Sequence, residues 1–243
     1  MHPTLPFGPA SLPTAPILAI LAVLVTLEIA SRYGRKLGLH PDDVWNTALI
    51  GLAAGLIVAR VWNVFQFWHI YRVEPSLIFS LRPSGFEFWP GVIAAFIGGY
   101  AYLLYRALDP VRVGASLAVG MLGGAAVQAV SGHLTGGILG LVSTAPWAQP
   151  YFGEFRHPAG LYLALGLALL AVALWLRGPS QHPGRVFLLA VLGYSLMRLF
   201  VDGLRDGMDL IGSMRAAQVI ALIVALACAA LLARRPKDAG ERS

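Results

Sequence analysis

The sequence predicts an all-α, polytopic membrane protein of about seven transmembrane helices, and three observations carry that expectation. Hydrophobic residues make up 57% of the 243-residue chain and charged ones only 12%, about half the roughly 25% usual in soluble domains. The mean hydropathy of +0.69 excludes a disordered chain, which needs low hydrophobicity and high charge. The apolar residues also fall into seven runs of about 20, the length that crosses a bilayer as a helix. None of these runs alternates in polarity as a membrane strand does.

The first run, 14–31, follows MHPTLPFGPASLPTAP, which lacks the basic stretch of a cleavable signal. It is therefore read as a retained helix, preceded by residues 1–13 outside. Glu28, near its inner end, is expected to pair with a neighbour or to snorkel. The second run, 44–65, carries Gly51 and Gly55; the third is 87–107. The fourth, 114–132, carries Gly120 and Gly124 and leads into Gly132 and Gly136. Small residues four apart let helix backbones approach closely, so each pair predicts a packing contact. The fifth run, 158–178, opens on Pro158, a helix-start signal. The sixth is 185–203 and the seventh 213–233, before a polar tail at 234–243. The whole is read as one membrane domain. Cys228 is the only cysteine, which excludes an intrachain disulfide and a cysteine-based metal cluster.

Two connections are longer than topology requires. Residues 66–86 carry aromatics and His69, suited to the membrane interface. Residues 133–157 are rich in Gly, Pro and aromatics. Both are read as re-entrant or as lying flat on the outer leaflet. Irregular backbone is tolerated at membrane depth only against protein or a wet cavity, which directs the search for function to the outer half.

Orientation follows from the basic residues, since Lys and Arg gather in cytoplasmic loops. Arg32, Arg35, Lys36, Arg106, Arg112, Arg177, Arg185, Arg234, Arg235, Lys237 and Arg242 lie on one side, and Arg72, Arg82, Arg156, Arg205 and Arg215 on the other. The excess places the C-terminus in the cytoplasm and the N-terminus outside. It also explains the net charge of +6 without a nucleic-acid partner, because the basic residues do not share one face.

Ionisable residues inside a span cost about 2.5–3.5 kcal/mol on insertion scales and mark a cavity or a partner. Arg60 lies deep in the second run, Arg198 and Asp202 in the sixth. Arg198 and Asp202 are four apart, and Asp202 and Arg205 three apart, so one helical stripe holds all three. The stripe is either an internal salt bridge or a cationic site for an anionic head group, with Asp202 orienting an arginine. Arginine suits the second role because its planar fork binds phosphate oxygens with two parallel hydrogen bonds. After the fourth run come Gln128, Ser131 and His133, in glycine-rich backbone that allows a ligand to approach. His133 is a candidate general base, or a capping residue. His157 precedes Pro158. No nucleotide-binding loop, dinucleotide fingerprint, zinc-protease or serine-hydrolase motif occurs at a credible position, and no cofactor or metal is implied.

VARVWNVF in the second run, FRHPAGLY entering the fifth, GYSLMRLFVDGLRDG in the sixth and SMRAAQVIALIVAL in the last stand in an order that resembles the prolipoprotein diacylglyceryl transferase family. The similarity covers about residues 44–234. The resemblance implies a seven-helix bacterial inner-membrane enzyme that moves diacylglyceryl from phosphatidylglycerol to a cysteine thiol of a lipoprotein precursor. Its partners would be that anionic phospholipid and the precursor peptide. Arg60, His157, Pro158, Tyr162, Arg198 and Arg205 match family positions, and Asp202 stands for a glutamate. Trp89 replaces the histidine of a family His-Gly-Gly element. In the segment after the fourth run, Ala125 replaces an arginine, Gln128 and Ser131 replace asparagines, and His133 replaces a glutamate. The resemblance thus nominates His133, His157, Asp202 and Arg205 for the chemistry. It nominates Arg60, Arg198, Gln128 and Tyr162 for holding substrate. Two other readings stand beside it: a catalytically silent homologue that binds anionic phospholipid, and a small-solute transporter. The absence of a visible internal repeat weighs against the transporter.

Overall fold

A computed structural model describes residues 4–7, 10–80, 85–151, 153–178, 182–207, 210–211 and 214–234. Arg82 and the tail from residue 235 onward lie outside the described residues. Seven long apolar helices form the body: α1 (Thr14–Lys36), α2 (Pro41–Gln66), α4 (Phe88–Tyr105), α5 (Pro110–Thr135), α6 (Ala159–Leu176), α7 (Pro183–Gly203) and α8 (Ala216–Ala233). They coincide with the seven expected runs, with ends shifted by up to five residues. The shifts have local causes. Pro41 and Pro110 start α2 and α5 earlier than hydropathy alone suggests, because proline is preorganised for the first helical turn. Asp109 caps α5, its carboxylate accepting from the Val111 amide at 2.9 Å.

Small elements decorate the ends. A short hairpin, β1 (Thr4–Phe7) and β2 (Ala10–Pro13), precedes α1. The connection after α2 holds a single turn, α3 (Trp68–Tyr71), and a 3₁₀ turn at Pro75–Phe79. The connection after α5 holds an antiparallel hairpin, β3 (Gln149–Tyr151) and β4 (Glu154–Arg156). A two-residue ladder, β5 (Leu210–Ile211) with β6 (Met214–Arg215), leads into α8. Neither long connection contains a re-entrant helix among its described residues. His133 is not loop at all but lies in the last two turns of α5.

Helix α5 is the hub, packed against α1, α6 and α7, while α2 pairs mainly with α4 and α7 with α8. Glycine explains the close crossings. A side-chain carbon on Gly124 would collide with Thr26 and with the Ala22 carbonyl of α1. On α2, one at Gly51 would lie 2.9 Å from the Ala95 carbonyl of α4, and one at Gly55 lies 2.8 Å from that of Gly91. Two of the three predicted glycine pairs therefore serve packing. The third does not: Gly136 is the left-handed residue, φ 76°, that ends α5. The core runs along α5 and α6, with Tyr33, Val119 and Leu167 fully buried. Leu56, Phe96 and Leu169 are among the many large apolar side chains turned outward, as expected of surfaces that face lipid.

Candidate active site

Three charged side chains meet where α7 ends. Asp202 is completely buried, and both its oxygens are occupied. Arg198 Nε donates to Oδ2 at 2.7 Å, and Arg205 Nη1 donates to Oδ1 at 3.1 Å. The helix supplies this arrangement, since i, i+4 and i, i+3 place all three groups on one stripe. One carboxylate against two guanidinium groups leaves a local excess of one positive charge. The Nε–H of Arg205 is buried and has no protein acceptor among the described residues. A buried donor left unpaired is costly, about 1–3 kcal/mol.

Backbone from one other segment braces this end of α7. The amide of Leu141 donates to the Leu204 carbonyl at 2.8 Å, and that of Asp206 to the Leu139 carbonyl at 2.9 Å. On its other side the same segment receives the His157 amide at the Leu141 carbonyl, 3.0 Å. Residues 139–142 are thus a central strip between the start of α6 and the end of α7, with Gly140 bridged to Arg205. Gly140 has to be glycine, because any side chain there would run into the His157 carbonyl.

Arg156 clamps the same strip. Its Nη1 donates to Asp206 Oδ2 at 2.6 Å and to the Gly140 carbonyl at 3.2 Å, and its Nη2 donates to Glu154 Oε2 at 2.6 Å. The Arg156 hydrogen bond, followed by that from the Gly207 amide, holds the Asp206 carboxyl below its ordinary pKa of 3.8. Arg215 reaches the α7 terminus as well, donating from Nη1 to the Gly203 carbonyl at 2.8 Å. Like that of Arg205, the Nε atoms of Arg156 and Arg215 are buried and unpartnered among the described residues. Arg156 and Arg215 entered the sequence reading only as orientation signals. The proximity that makes them part of this cluster is tertiary and has no signature in spacing.

The histidines occupy different surroundings. His157 Nδ1 lies 3.2 Å from Tyr162 Oη, which accepts from Trp147 Nε1 at 2.7 Å. Through the 140–141 backbone His157 is tied to Arg205. His133 is buried in α5, and Tyr151 Oη sits 3.1 Å from both its ring nitrogens. No hydrogen bond or ion pair among the described residues joins His133 to Arg205.

Arg60 and Gln128 are placed elsewhere. Arg60 donates from Nε to the Ile78 carbonyl at 3.0 Å and from Nη1 to the Gly85 carbonyl at 2.7 Å. Its Nη2 donates to the Leu77 carbonyl. Its guanidinium also lies 5.4 Å from the Tyr71 ring centroid. Arg60 therefore fastens the α2–α4 connection, and no hydrogen bond or ion pair among the described residues connects it to Asp202. Beside it, buried Asn63 accepts from Tyr71 Oη at 2.7 Å and donates to Glu87 Oε1 at 3.2 Å, a network that sequence patterning did not single out. Gln128 is exposed on α5 and has no protein partner in the described set. Trp89 is exposed in the first turn of α4, edge-on to Phe88.

Comparison with known proteins identifies the family. Residues 5–234 match the family model described as prolipoprotein diacylglyceryl transferase. A phosphatidylglycerol–prolipoprotein diacylglyceryl transferase of Clostridioides difficile (strain 630) is 30% identical over 208 residues, covering 85% of this chain and 84% of the relative. One of the same name from Bacillus mycoides (strain KBAB4) is 29% identical over 227 residues, 88% of this chain and 84% of the relative. One from Bacillus licheniformis is 28% identical over 242 residues, 94% and 90% of the two chains. With nearly the whole length matched, the chain belongs to the prolipoprotein diacylglyceryl transferase family.

Proposed function

We propose that this chain transfers diacylglyceryl from phosphatidylglycerol to a cysteine thiol of a lipoprotein precursor, the reaction for which its relatives are named. In that reaction the carbon–oxygen bond between the diacylglyceryl group and phosphate breaks, and a carbon–sulfur bond forms. The thiol proton passes to a base, and the phosphodiester leaves as glycerol phosphate with one more negative charge. Charge developing on a leaving group is best stabilised by preorganised donors in a site that excludes water. The observation that carries the proposal is the Arg198–Asp202–Arg205 stripe. Its buried carboxylate fixes two guanidinium groups, and one buried N–H of Arg205 stays without a protein acceptor.

His157 is the better-placed candidate for the proton. If Tyr162 Oη accepts from His157 Nδ1 as it does from Trp147, Nε2 keeps its lone pair and serves as base. His133, engaged with Tyr151, is assigned to packing of the hairpin against α5. Arg198 is assigned to holding Asp202, Arg205 to the phosphate, and Arg60 to the outer connection. Gln128, unpartnered on α5, is left as a residue that meets substrate. The excess of basic residues on one side supports a cytoplasmic C-terminus, with the site on the outer half of the bacterial inner membrane. Complementation tests the reading: in a strain depleted of its own transferase, wild type restores growth and Arg205→Ala does not. Failure of well-expressed wild type overturns it.

A further inference from the structure

A second cationic feature lies at the opposite end of α7. Arg185 is in its first turn, and Arg205 lies just beyond its last, so about 30 Å of helix separates them. Between α6, α7 and α8 at that end is a cavity of about 440 Å³, within the usual range for small-molecule sites. Its walls are aliphatic, formed by Leu174, Val186, Leu189 and Leu232, and its mouth carries Arg177 and Arg185.

Neither guanidinium group has a hydrogen-bonding or ion-pair partner among the described residues. The carboxylates described on this face are already engaged: Glu28 with Arg32, Asp43 with Arg106, and Asp109 with Arg112. Asp42 is paired with His40. Two like charges at one mouth, with no carboxylate paired to either among the described residues, suit an anion from outside the protein. Aliphatic walls behind the charges call for a hydrocarbon chain on that anion.

We propose that this cavity binds an anionic phospholipid, its phosphate between Arg177 and Arg185 and an acyl chain against Leu174, Leu189 and Leu232. Under the orientation proposed above the lipid comes from the cytoplasmic leaflet, the face opposite the transfer chemistry. It is a resident or regulatory lipid rather than the substrate.

Native mass spectrometry of the purified full-length protein, titrated with dioleoyl phosphatidylglycerol or dioleoyl phosphatidylcholine, tests this. The double variant Arg177→Gln/Arg185→Gln should bind one phosphatidylglycerol fewer, with that site weakened about 10- to 30-fold, as loss of two basic contacts implies. Phosphatidylcholine binding should not change. Leu189→Trp, which fills the cavity and keeps both arginines, should lose the same lipid. A phosphatidylglycerol with a photoactivatable acyl chain should label the α6 and α7 peptides lining the cavity in wild type. Diacylglyceryl transfer should persist in both variants, which separates failure here from failure of the transferase reading. Unchanged phosphatidylglycerol stoichiometry and affinity in both variants overturns the proposal. So does displacement by millimolar inorganic phosphate without acyl labelling of the walls, which would mark a free-phosphate site.

Discussion

Asp202 and Arg198 share a 2.7 Å hydrogen bond in which the carboxylate has no exposed surface. A carboxylate buried this completely is sustainable only while it is paired. Arg205 takes the other oxygen at 3.1 Å, so the three residues form a unit whose members cannot be exchanged independently. Asp202→Asn keeps the shape and removes the charge, leaving two guanidinium groups facing each other. Breaking a buried pair in this way typically costs about 3–5 kcal/mol. We expect a lower unfolding temperature in detergent together with loss of transfer, read by circular dichroism and product formation.

Arg60 separates from that unit in its consequences. Its donors go to three carbonyls of the outer connection, and each charge-assisted bond contributes about 1.5–3 kcal/mol. Arg60→Met should speed hydrogen exchange at residues 75–80 and 85–88 and lower stability. The affinity for phosphatidylglycerol should stay near that of wild type. A large loss of lipid affinity with unchanged exchange would place Arg60 in the binding site instead.

The Arg156–Asp206 clamp gives a pH dependence. The Asp206 carboxyl titrates below its ordinary value of 3.8 because Arg156 holds the charged form. Its contribution is therefore complete above about pH 5 and is lost as the pH falls through the depressed folded-state value. Arg156 stays protonated throughout and adds no slope. Wild type should exceed Asp206→Asn in unfolding temperature at pH 7, and the gap should narrow progressively as the pH falls below about 4. A gap that stays constant as the pH falls well below 3.8, or that is absent at pH 7, contradicts the clamp.

Tyr162 and Tyr151 discriminate the two histidines. Tyr162→Phe removes the partner of His157 Nδ1 and should lower transfer by about 10²-fold, within the roughly 10²–10⁴ that a general base supplies. It should also change the acid limb of the pH–rate profile. Tyr151→Phe should leave both nearly as they are. The reverse pattern would move the base to His133.

The seven spans were legible because their signal is local, an apolar run long enough to cross, while Pro41, Pro110 and Pro183 moved three of the starts to earlier residues. The Arg198–Asp202–Arg205 stripe was legible for the same reason, since helical spacing alone brings the three together. For Arg60, depth in a span marked a half-buried charge but not its partners, which are the carbonyls of Leu77, Ile78 and Gly85. Arg156 and Arg215 join the cluster only through contacts spanning many residues, as Arg156 with Asp206 across 50 positions. Gly136 shares the small-residue spacing of a packing pair, yet its positive φ ends a helix. Spacing cannot tell these uses apart.

In the proposed reaction Arg205, held by Asp202, stabilises the leaving phosphate. Transfer of labelled diacylglyceryl from phosphatidylglycerol to a lipobox peptide, by purified wild type, Arg205→Lys and Arg205→Ala, tests it most directly. Wild type should turn over, and Arg205→Ala should lose about 10²–10³-fold, the scale of removing one preorganised donor to a developing charge. Arg205→Lys should recover only part of it, because a point charge cannot reproduce the fork. Undiminished transfer by a folded Arg205→Ala protein, or none by wild type, would contradict the account.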